Sequence, residues 1–418
     1  MKIKILLFAI SLMMTTSIYS QFEQEVKNVA IFVHEGVELF DFAGPGEVFV
    51  AAGRQSPVID FNVYTVAATE DMVTSQTFLK IIPNYSIDNC PAPQVIVLPG
   101  GATNIPLRDP KVIEWIKRVN ESTDITLSVC TGAFLLGKAG LLEGLKATTH
   151  WGSIQGLKNN YPNTEVLEET KFVDNGKIVT SGGVSSGTEG SLHVVSRLAG
   201  KPTAQRVARY MEYNNWDDRI GLVEKESEFI SAVKDHGFET ALSHSESDNI
   251  FYGELYNLAT EYLENNETAK ALPILDYLSK KYPVSETYEQ LGNAYKKMGR
   301  STPLAESEIV ELINSREIEK VLEQYEKDRK EFPGWIIFNE ITINSLGYKL
   351  MNQDRIKDAI QVFTLNTREF PDSFNVWDSL AESYLKSGNK ELARKYYEKS
   401  LKINPDNSNA KEVLSSME

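Results

Sequence analysis

Short, nearly continuous apolar runs alternate with helical stretches over the first half of the chain. These runs, which we predict to be β-strands, lie at residues 28–33, 61–66, 94–98, 125–129 and 177–180. Strands that are apolar on both faces are typical of a parallel sheet that helices cover on both sides. The pattern therefore predicts an α/β domain over residues 28–215.

The pattern changes near residue 218. Strand signals disappear there, and Glu, Lys, Leu, Tyr and Ala recur at helical spacing over the rest of the sequence. We therefore predict a helical linker over residues 219–250 and an all-α domain over residues 251–418.

An internal repeat divides this helical region. Residues 374–407 carry the signature positions of a tetratricopeptide repeat, at Trp377, Leu380, Ala381, Tyr384, Gly388, Ala393, Tyr397 and Pro405. The positions recur 34 residues earlier, over 340–373, and a second pair of units, 252–284 and a partial 285–300, lies about 88 residues upstream. We interpret residues 301–333 as the join. Stacked helix pairs form a superhelix with a concave face, suited to protein contact, to dimerisation or to stiffening a neighbouring domain.

The first 20 residues have the layout of a secretory signal peptide. Lys2 and Lys4 precede an apolar run over residues 5–14, and small and polar residues lead up to Ser20. We expect cleavage after Ser20 and a periplasmic or secreted protein, with an uncleaved anchor as the alternative, although the run is shorter than a membrane span. No cysteine lies near the cleavage point, which excludes a lipoprotein anchor, so we expect no membrane association after cleavage.

Charge and cysteine content narrow the function classes. The 418 residues include 43 Lys plus Arg against 58 Asp plus Glu, a formal net charge of −15, and no basic cluster interrupts this balance. A nucleic-acid partner is therefore not expected. Two cysteines are too few for a disulfide scaffold or a Cys-rich zinc site, and the five histidines lack metal-binding spacing, so we expect no metal.

Cys130 lies where a predicted strand ends and a glycine-containing helix begins. A thiol at a helix N-terminus faces backbone N–H groups, which favour the thiolate and can hold a negative intermediate. This placement suits a nucleophile, whereas a small buried apolar residue is the other interpretation of an isolated cysteine. Cys90 lacks such a setting, although a disulfide between the two cysteines after export stays open.

Two further segments follow strands whose carboxyl ends meet Cys130 at one edge of the sheet. Gly100 and Gly101 end the strand at 94–98 and free backbone N–H groups to point into the same pocket. Asp41 follows the first strand, close to Pro45, which marks a predicted helix start. A carboxylate beside a thiol is suited to carry a proton, although Asp41 taken alone fits a helix-capping role better.

These segments resemble the ThiJ/PfpI (DJ/PfpI) superfamily. The matching sequences are SVCTGAFLLGKAGLLEGLKATTHW at 128–151, DFAGP at 41–45, LPGG at 98–101 and TSGGVSSG at 180–187. The resemblance covers residues 28–213 and implies a flavodoxin-like, doubly wound parallel sheet of the class I glutamine amidotransferase-like type. Isonitrile hydratases and the amino-terminal domains of AraC-type regulators are the members to which the sequence is most similar.

The resemblance also implies roles for individual residues. Cys130 would be the nucleophile, Asp41 its acidic hydrogen-bonding partner, and Thr131 a residue that isonitrile hydratases also need. Gly101 would supply an oxyanion-type amide, and His150 matches a histidine near the family's pocket, either as a participant or as a structural residue. Thr131 stands where the family's peptidases carry histidine, which argues against peptidase chemistry.

One position departs from the family pattern. Related proteins often have Gly-Ile-Asp after the glycine-rich turn, where this chain has Gly187, Thr188 and Glu189. The change can reshape the pocket wall and so bears on the identity of the substrate.

The resemblance implies water addition to a small isonitrile through a Cys130 thioimidate, without a metal or organic cofactor. A non-catalytic small-molecule-sensing domain, like those of AraC-type regulators, is the alternative from another class. Action on reactive aldehydes or in stress responses is a third. Family members commonly form homodimers through the α/β domain, so we expect a homodimer here, with a protein partner for the repeats.

Overall fold

The computed structural model describes residues 24–214, 216–217, 219–245 and 250–417. The predicted signal peptide, residues 1–20, lies outside the described residues. The chain forms two compact units, which divide between Tyr262 and Leu263. None of the described helices combines the length and the apolar character that a membrane span requires.

The first unit is built on a sheet of eight strands. They are β1 (Glu25–Phe32), β2 (Ile59–Ala67), β5 (Tyr85–Ser86), β6 (Val95–Leu98), β7 (Ile125–Val129), β10 (Phe172–Asp174), β11 (Ile178–Ser181) and β12 (Leu222–Val223), in the spatial order β12-β10-β11-β7-β6-β1-β2-β5. Neighbours run parallel, except that β10 and β11 are antiparallel. Two separate pairs are β3 (Val73–Ser75) with β4 (Leu79–Ile81) and β8 (Lys146–Ala147) with β9 (Glu165–Val166). All five predicted strands are present.

Helices flank this sheet. They are α1 (Leu39–Gln55), α2 (Pro110–Ser122), α3 (Ala133–Lys138), α4 (Ile154–Asn160), α5 (Ser186–Ala199), α6 (Lys201–Tyr210), α7 (Glu228–His236), α8 (Phe238–His244) and α9 (Tyr252–Glu264), which contains the division point. Short 3-10 turns lie at Pro106–Arg108, Cys130–Gly132 and Trp151–Ser153. A mostly parallel sheet with flanking helices confirms the predicted flavodoxin-like α/β class.

The register of the central strands determines where the functional segments meet. Leu98 on β6 lies opposite Ser128 on β7, and Val129 on β7 lies opposite Ser181 on β11. Because these strands are parallel, the segments that follow them leave the sheet side by side at one edge. An apolar core that includes the fully buried Trp115 packs against these strands.

The first unit extends beyond the predicted end at residue 215. Within the segment that we predicted to be a helical linker, β12 adds a parallel strand next to β10, and the helices α7 and α8 follow. β12 has only two residues, Leu222 and Val223, and such a short strand leaves no alternating pattern in the sequence.

The second unit contains the predicted tetratricopeptide helices. Its described helices are α10 (Thr268–Lys281), α11 (Ser285–Lys297), α12 (Glu306–Asn314), α13 (Ile318–Glu331), α14 (Glu340–Asn352), α15 (Ile356–Glu369), α16 (Phe374–Lys386), α17 (Lys390–Ile403) and α18 (Ser408–Ser416). The repeat glycine Gly347 has a packing function, because a Cβ there would lie 2.4 Å from the Phe363 ring. The arrangement confirms the all-α repeat class.

The predicted join at residues 301–333 is itself a helix pair. α12 and α13 bury Ile309, Ile313 and Val321, which belong to the same hydrophobic cluster as residues of α14 and α15. The sequence pattern did not reveal this pair because mostly aliphatic residues occupy its core positions and residues 301–333 lack the glycine of the signature.

Candidate active site

Cys130 lies on a strained turn between β7 and α3. Its φ is 58°, in the left-handed region that residues other than glycine rarely adopt. Its N–H donates to the carbonyl of Gly182 at 3.1 Å, and its own carbonyl accepts from the Thr149 hydroxyl at 2.6 Å. These bonds hold the strained conformation and confirm the predicted position of Cys130 at a strand-to-helix turn.

Asp41 lies fully buried beside Cys130. Its two carboxylate oxygens accept the backbone N–H groups of Gly100, at 3.0 Å, and of Val184, at 2.9 Å, and the carboxylate also hydrogen-bonds the Cys130 thiol. The helix start predicted at Pro45 is wrong, because α1 begins at Leu39 and Pro45 lies inside it. Asp41 therefore belongs to the first turn of α1, where its side chain is held by three separate segments.

Burial governs the charges of this pair. Burial and the adjacent Asp41 carboxylate raise the pKa of the Cys130 thiol to about 12, although the N–H and hydroxyl of Thr131 oppose the shift. Burial likewise raises the pKa of Asp41 to about 6. The backbone N–H groups at this turn therefore do not lower the pKa of Cys130 below that of an ordinary thiol. α3 has only six residues and begins in a 3-10 turn, so its dipole is too weak to offset burial next to a carboxylate.

Gly101 and Thr131 bind each other. The Gly101 N–H donates to Thr131 Oγ1 at 3.1 Å, and Thr131 Oγ1 lies 3.3 Å from the Gly101 carbonyl oxygen. The expectation that Gly101 presents a free oxyanion amide therefore does not hold in this arrangement. Glycine is nevertheless required at 101, because φ is 103° and a Cβ would lie 2.4 Å from the carbonyl oxygen of Gly36.

We expect Thr131→Val to lower kcat/KM for the proposed reaction about tenfold, because the valine keeps the shape but loses the acceptor of the Gly101 N–H and the hydroxyl beside the thiol. Thr131→Ser is the matched control and should retain most of the activity. Steady-state kinetics of both variants test this prediction, and equal rates for valine and serine would contradict it.

His150 borders the same space as Cys130. A Cβ on Gly183 would lie 2.6 Å from His150 Cδ2 and 3.0 Å from Cys130 Sγ, so only glycine fits between the two side chains. His150 Nδ1 accepts the Gly152 N–H at 3.2 Å, and the imidazole ring packs 5.4 Å from the ring of Trp151. The hydrogen bond of His150 is thus a local structural one, and its ring lies next to Gly183, as does the Cys130 thiol.

Thr188 and Glu189, the residues that depart from the family pattern, both contact neighbouring segments. Glu189 accepts the Tyr213 hydroxyl at 2.9 Å and lies 3.5 Å from the Lys171 ammonium. Thr188 Oγ1 lies against Gly44 on α1, where a Cβ would come within 2.9 Å of it. Both side chains therefore pack around the start of α5.

Val184 is the site residue that the sequence did not reveal. Its φ of 57° is unusual for a β-branched residue, and its N–H is one of the two backbone donors to Asp41. The preceding Gly182 and Gly183 signal a turn at this position, but no property of valine predicts a left-handed conformation.

The two cysteines are free thiols, so the described structure contains no disulfide between Cys90 and Cys130. Cys90 packs at the edge of the core cluster that includes Trp115. The described residues also contain no group of His, Cys, Asp and Glu side chains that could hold a metal ion. Cys130, Asp41 and the backbone donors of Asp41 are the groups that the described structure brings together at this turn.

Comparisons with known proteins agree with this geometry. The DJ-1/PfpI family model matches residues 27–197, and a tetratricopeptide repeat model matches residues 374–407. Isonitrile hydratase from Pseudomonas putida is 34% identical over 179 residues, which are 42% of this chain and 74% of that protein. The HTH-type transcriptional regulator CdhR of Pseudomonas aeruginosa is 32% identical over 83 residues, 19% of this chain and 25% of the regulator.

Among solved structures, a ThiJ/PfpI family protein from Pseudomonas syringae is 27% identical, with a TM-score of 0.42, over 48% of this chain and 81% of that protein. The family model spans the turns that carry Cys130, Asp41 and Gly183 and the strands of the sheet except β12. Since the isonitrile hydratase relative is covered over most of its length, these residues and the matching model together assign the chain to the DJ-1/PfpI family.

Proposed function

We propose that this protein is an exported, cysteine-dependent hydratase that adds water to a small isonitrile, and that its repeats bind a protein partner. The contact of the buried Asp41 carboxylate with the Cys130 thiol is the observation that carries the enzymatic part. The relationship to an isonitrile hydratase supports the substrate class. Export rests on the signal-peptide layout of residues 1–20 alone.

The first step forms a covalent bond to Cys130. The ionised Asp41 takes the thiol proton, and the sulfur attacks the terminal carbon of R–N≡C. Asp41 then returns the proton to that carbon, which gives the thioimidate R–N=CH–S–Cys130. The transfer needs a carboxylate in contact with the thiol, and the hydrogen bond between Asp41 and Cys130 meets this requirement. The pKa of Asp41, raised to about 6, also makes its carboxylate a stronger base than that of an ordinary aspartate.

The second step releases the product. Asp41 takes a proton from water as the water oxygen adds to the thioimidate carbon and passes this proton to the nitrogen, which gives the tetrahedral adduct R–NH–CH(OH)–S–Cys130. Asp41 then takes the hydroxyl proton as the carbon–sulfur bond breaks, the N-substituted formamide R–NH–CHO leaves, and Asp41 passes this second proton to the sulfur. The backbone donors at Gly100 and Val184 keep the carboxylate in position through both steps.

The pH dependence follows from Asp41. Its pKa is raised to about 6, so the carboxylate is ionised above pH 6 and protonated below it. Only the ionised form can accept the thiol proton. We expect kcat/KM to fall about tenfold per pH unit below pH 6 and to stay level between pH 7 and pH 9. A rate that rises steadily up to pH 9 would instead indicate that a free thiolate attacks.

The direct test is turnover of an alkyl isonitrile by the mature protein, followed by appearance of the N-substituted formamide. We expect activity in the wild type and none above background in Cys130→Ala. Cys90→Ala is the matched control, because that thiol packs away from the site, and it should remain active. Equal activity of Cys130→Ala and the wild type would refute the proposal.

A sensing domain is the second candidate function, and one observation favours it. The pKa of the Cys130 thiol is raised to about 12, so forming the nucleophilic thiolate costs free energy at neutral pH. A site that only binds a ligand does not need the thiolate. Regulators are also among the relatives. A sensor should bind the isonitrile in both the wild type and Cys130→Ala without producing formamide, which isothermal titration and product analysis distinguish from turnover.

A further inference from the structure

His150 has one ring nitrogen that its local hydrogen bond does not use. Nδ1 accepts the Gly152 N–H at 3.2 Å. Because a backbone N–H group can only donate, Nδ1 carries the lone pair of a neutral imidazole, and we assign the ring proton to Nε2. Within the residues that the structure describes, no hydrogen bond reaches Nε2, and the side chain is partly exposed. The imidazole therefore presents an unused N–H donor.

This donor lies beside the nucleophile. The bond from Gly152 makes His150 the cap of the short turn Trp151–Ser153, which fixes the orientation of the ring. A Cβ on Gly183 would lie 2.6 Å from His150 Cδ2 and 3.0 Å from Cys130 Sγ, so the ring and the sulfur flank the same point. Cδ2 is bonded to Nε2. The unused N–H group is therefore close to any small group attached to the sulfur.

The backbone donors identified around Cys130 are engaged elsewhere. The N–H groups of Gly100 and Val184 donate to the Asp41 carboxylate at 3.0 Å and 2.9 Å. The Gly101 N–H donates to Thr131 Oγ1 at 3.1 Å. Of the donors described for this site, the Nε2–H of His150 is the one that remains available to a bound molecule.

The second step of the proposed reaction needs a donor of this kind. As water adds to the carbon of R–N=CH–S–Cys130, the electron pair of the C=N bond moves onto the nitrogen. A hydrogen bond to an atom on which negative charge develops stabilises the transition state. Asp41 supplies the proton that the nitrogen gains, and the nitrogen of the adduct R–NH–CH(OH)–S–Cys130 keeps one lone pair that can accept a further hydrogen bond.

We propose that His150 is a catalytic residue whose Nε2–H donates a hydrogen bond to the nitrogen of the Cys130 thioimidate while water adds. No proton leaves the imidazole, so it stays neutral through the step. When the formamide forms, the nitrogen lone pair is conjugated with the new carbonyl, which breaks this hydrogen bond and favours release of the product. The inference rests on the proposed hydratase function and assigns to His150 the activation of the C=N bond.

Two substitutions distinguish this role from a purely structural one. His150→Asn places an amide oxygen near the position of Nδ1, so it keeps an acceptor for the Gly152 N–H but removes the donor at Nε2. His150→Gln places an amide NH₂ group near the position of Nε2 and loses the cap. We expect kcat for an alkyl isonitrile to fall about 10- to 100-fold in His150→Asn and to stay within about fivefold of the wild type in His150→Gln. A purely structural role predicts the opposite order.

The covalent intermediate provides a second readout. Loss of the donor slows the second step and not the first, so the thioimidate should accumulate. In protein quenched with acid during turnover, we expect intact mass spectrometry to show a larger fraction of Cys130 with one added isonitrile in His150→Asn than in the wild type. His236→Asn, at an exposed position of α7, is the control and should match the wild type in both measurements.

A wild-type kcat in His150→Asn, or equal adduct fractions in this variant and the wild type, would overturn the proposal. Thermal unfolding shows whether each variant folds. If His150→Asn does not fold, His150→Gln decides, because a loss of more than tenfold in that variant would also overturn the proposal. Absence of both formamide and adduct in the wild type would refute the hydratase function itself, so the two failures are distinguishable.

Discussion

Asp41→Asn is expected to lower kcat for isonitrile hydration by about 10²- to 10⁴-fold, the range typical for loss of a general acid–base group. The amide occupies the same buried position but cannot take the thiol proton or return it to carbon. It also places an NH₂ group against one of the two backbone donors, Gly100 N–H or Val184 N–H, which accept no hydrogen bond in return.

Steady-state kinetics at pH 7.5 measure this effect, with Asp88→Asn as the control at an exposed position. The control should match the wild type. The acid limb of the pH profile should also disappear in Asp41→Asn, because the group that titrates near pH 6 is gone. An Asp41→Asn enzyme within threefold of the wild-type rate would show that another group transfers the proton.

Arg197→Leu should cause the largest loss of stability in the first unit. The guanidinium lies one-tenth exposed between two carboxylates, 3.1 Å from Asp174 and 2.6 Å from Glu254, and Asp174 also binds His193 at 2.6 Å. Removing the cation leaves the buried Glu254 without its counter-charge and leaves Asp174 with His193 as its remaining side-chain partner. Loss of one partner from a buried ion pair costs about 3–5 kcal/mol in the free energy of unfolding.

Urea unfolding of the full chain, monitored for the transition of the first unit, measures this loss. Arg219→Leu is the matched control, because Arg219 is 84% exposed and its pair with Asp217 is on the surface. We expect its unfolding midpoint to remain at the wild-type value. Equal midpoints for Arg197→Leu and the wild type would show that water or a rearranged side chain compensates for the lost guanidinium.

The strand pattern sufficed to predict five of the eight strands of the sheet and the place of Cys130. Short, mostly apolar runs such as residues 125–129 indicate strands that are buried on both faces, and the carboxyl ends of parallel strands meet by geometry alone. That geometry also brought Asp41 into the site, although the sequence misplaced the start of its helix. Proline usually marks the first turn of a helix, but α1 begins at Leu39, six residues before Pro45, and no residue there marks the helix start.

The electrostatics could not be predicted from the sequence. The protonation of Cys130 depends on how completely the fold buries it and on how closely Asp41 approaches, and both depend on long-range packing. The engagement of Gly101 by Thr131 and the strained Val184 amide likewise depend on contacts between residues far apart in the chain. The buried group around Arg197 gave no sequence signal, because its members come from three separate elements.

The repeat signature likewise revealed only part of the second unit. Trp377 and its equivalents identify two complete repeats, whereas α12 and α13 form the same kind of helix pair with mostly aliphatic core residues. Stacked helix pairs need a shared apolar face rather than particular side chains.

The central claim is that Cys130 forms a covalent intermediate with an isonitrile. The most direct measurement is mass spectrometry of the intact protein, quenched in acid during turnover of an alkyl isonitrile and followed by peptide mapping. We predict a mass increase equal to one isonitrile molecule, located on Cys130 in the wild type and absent from Cys130→Ala. Formamide production by Cys130→Ala, or turnover with the adduct on another residue, would contradict the account.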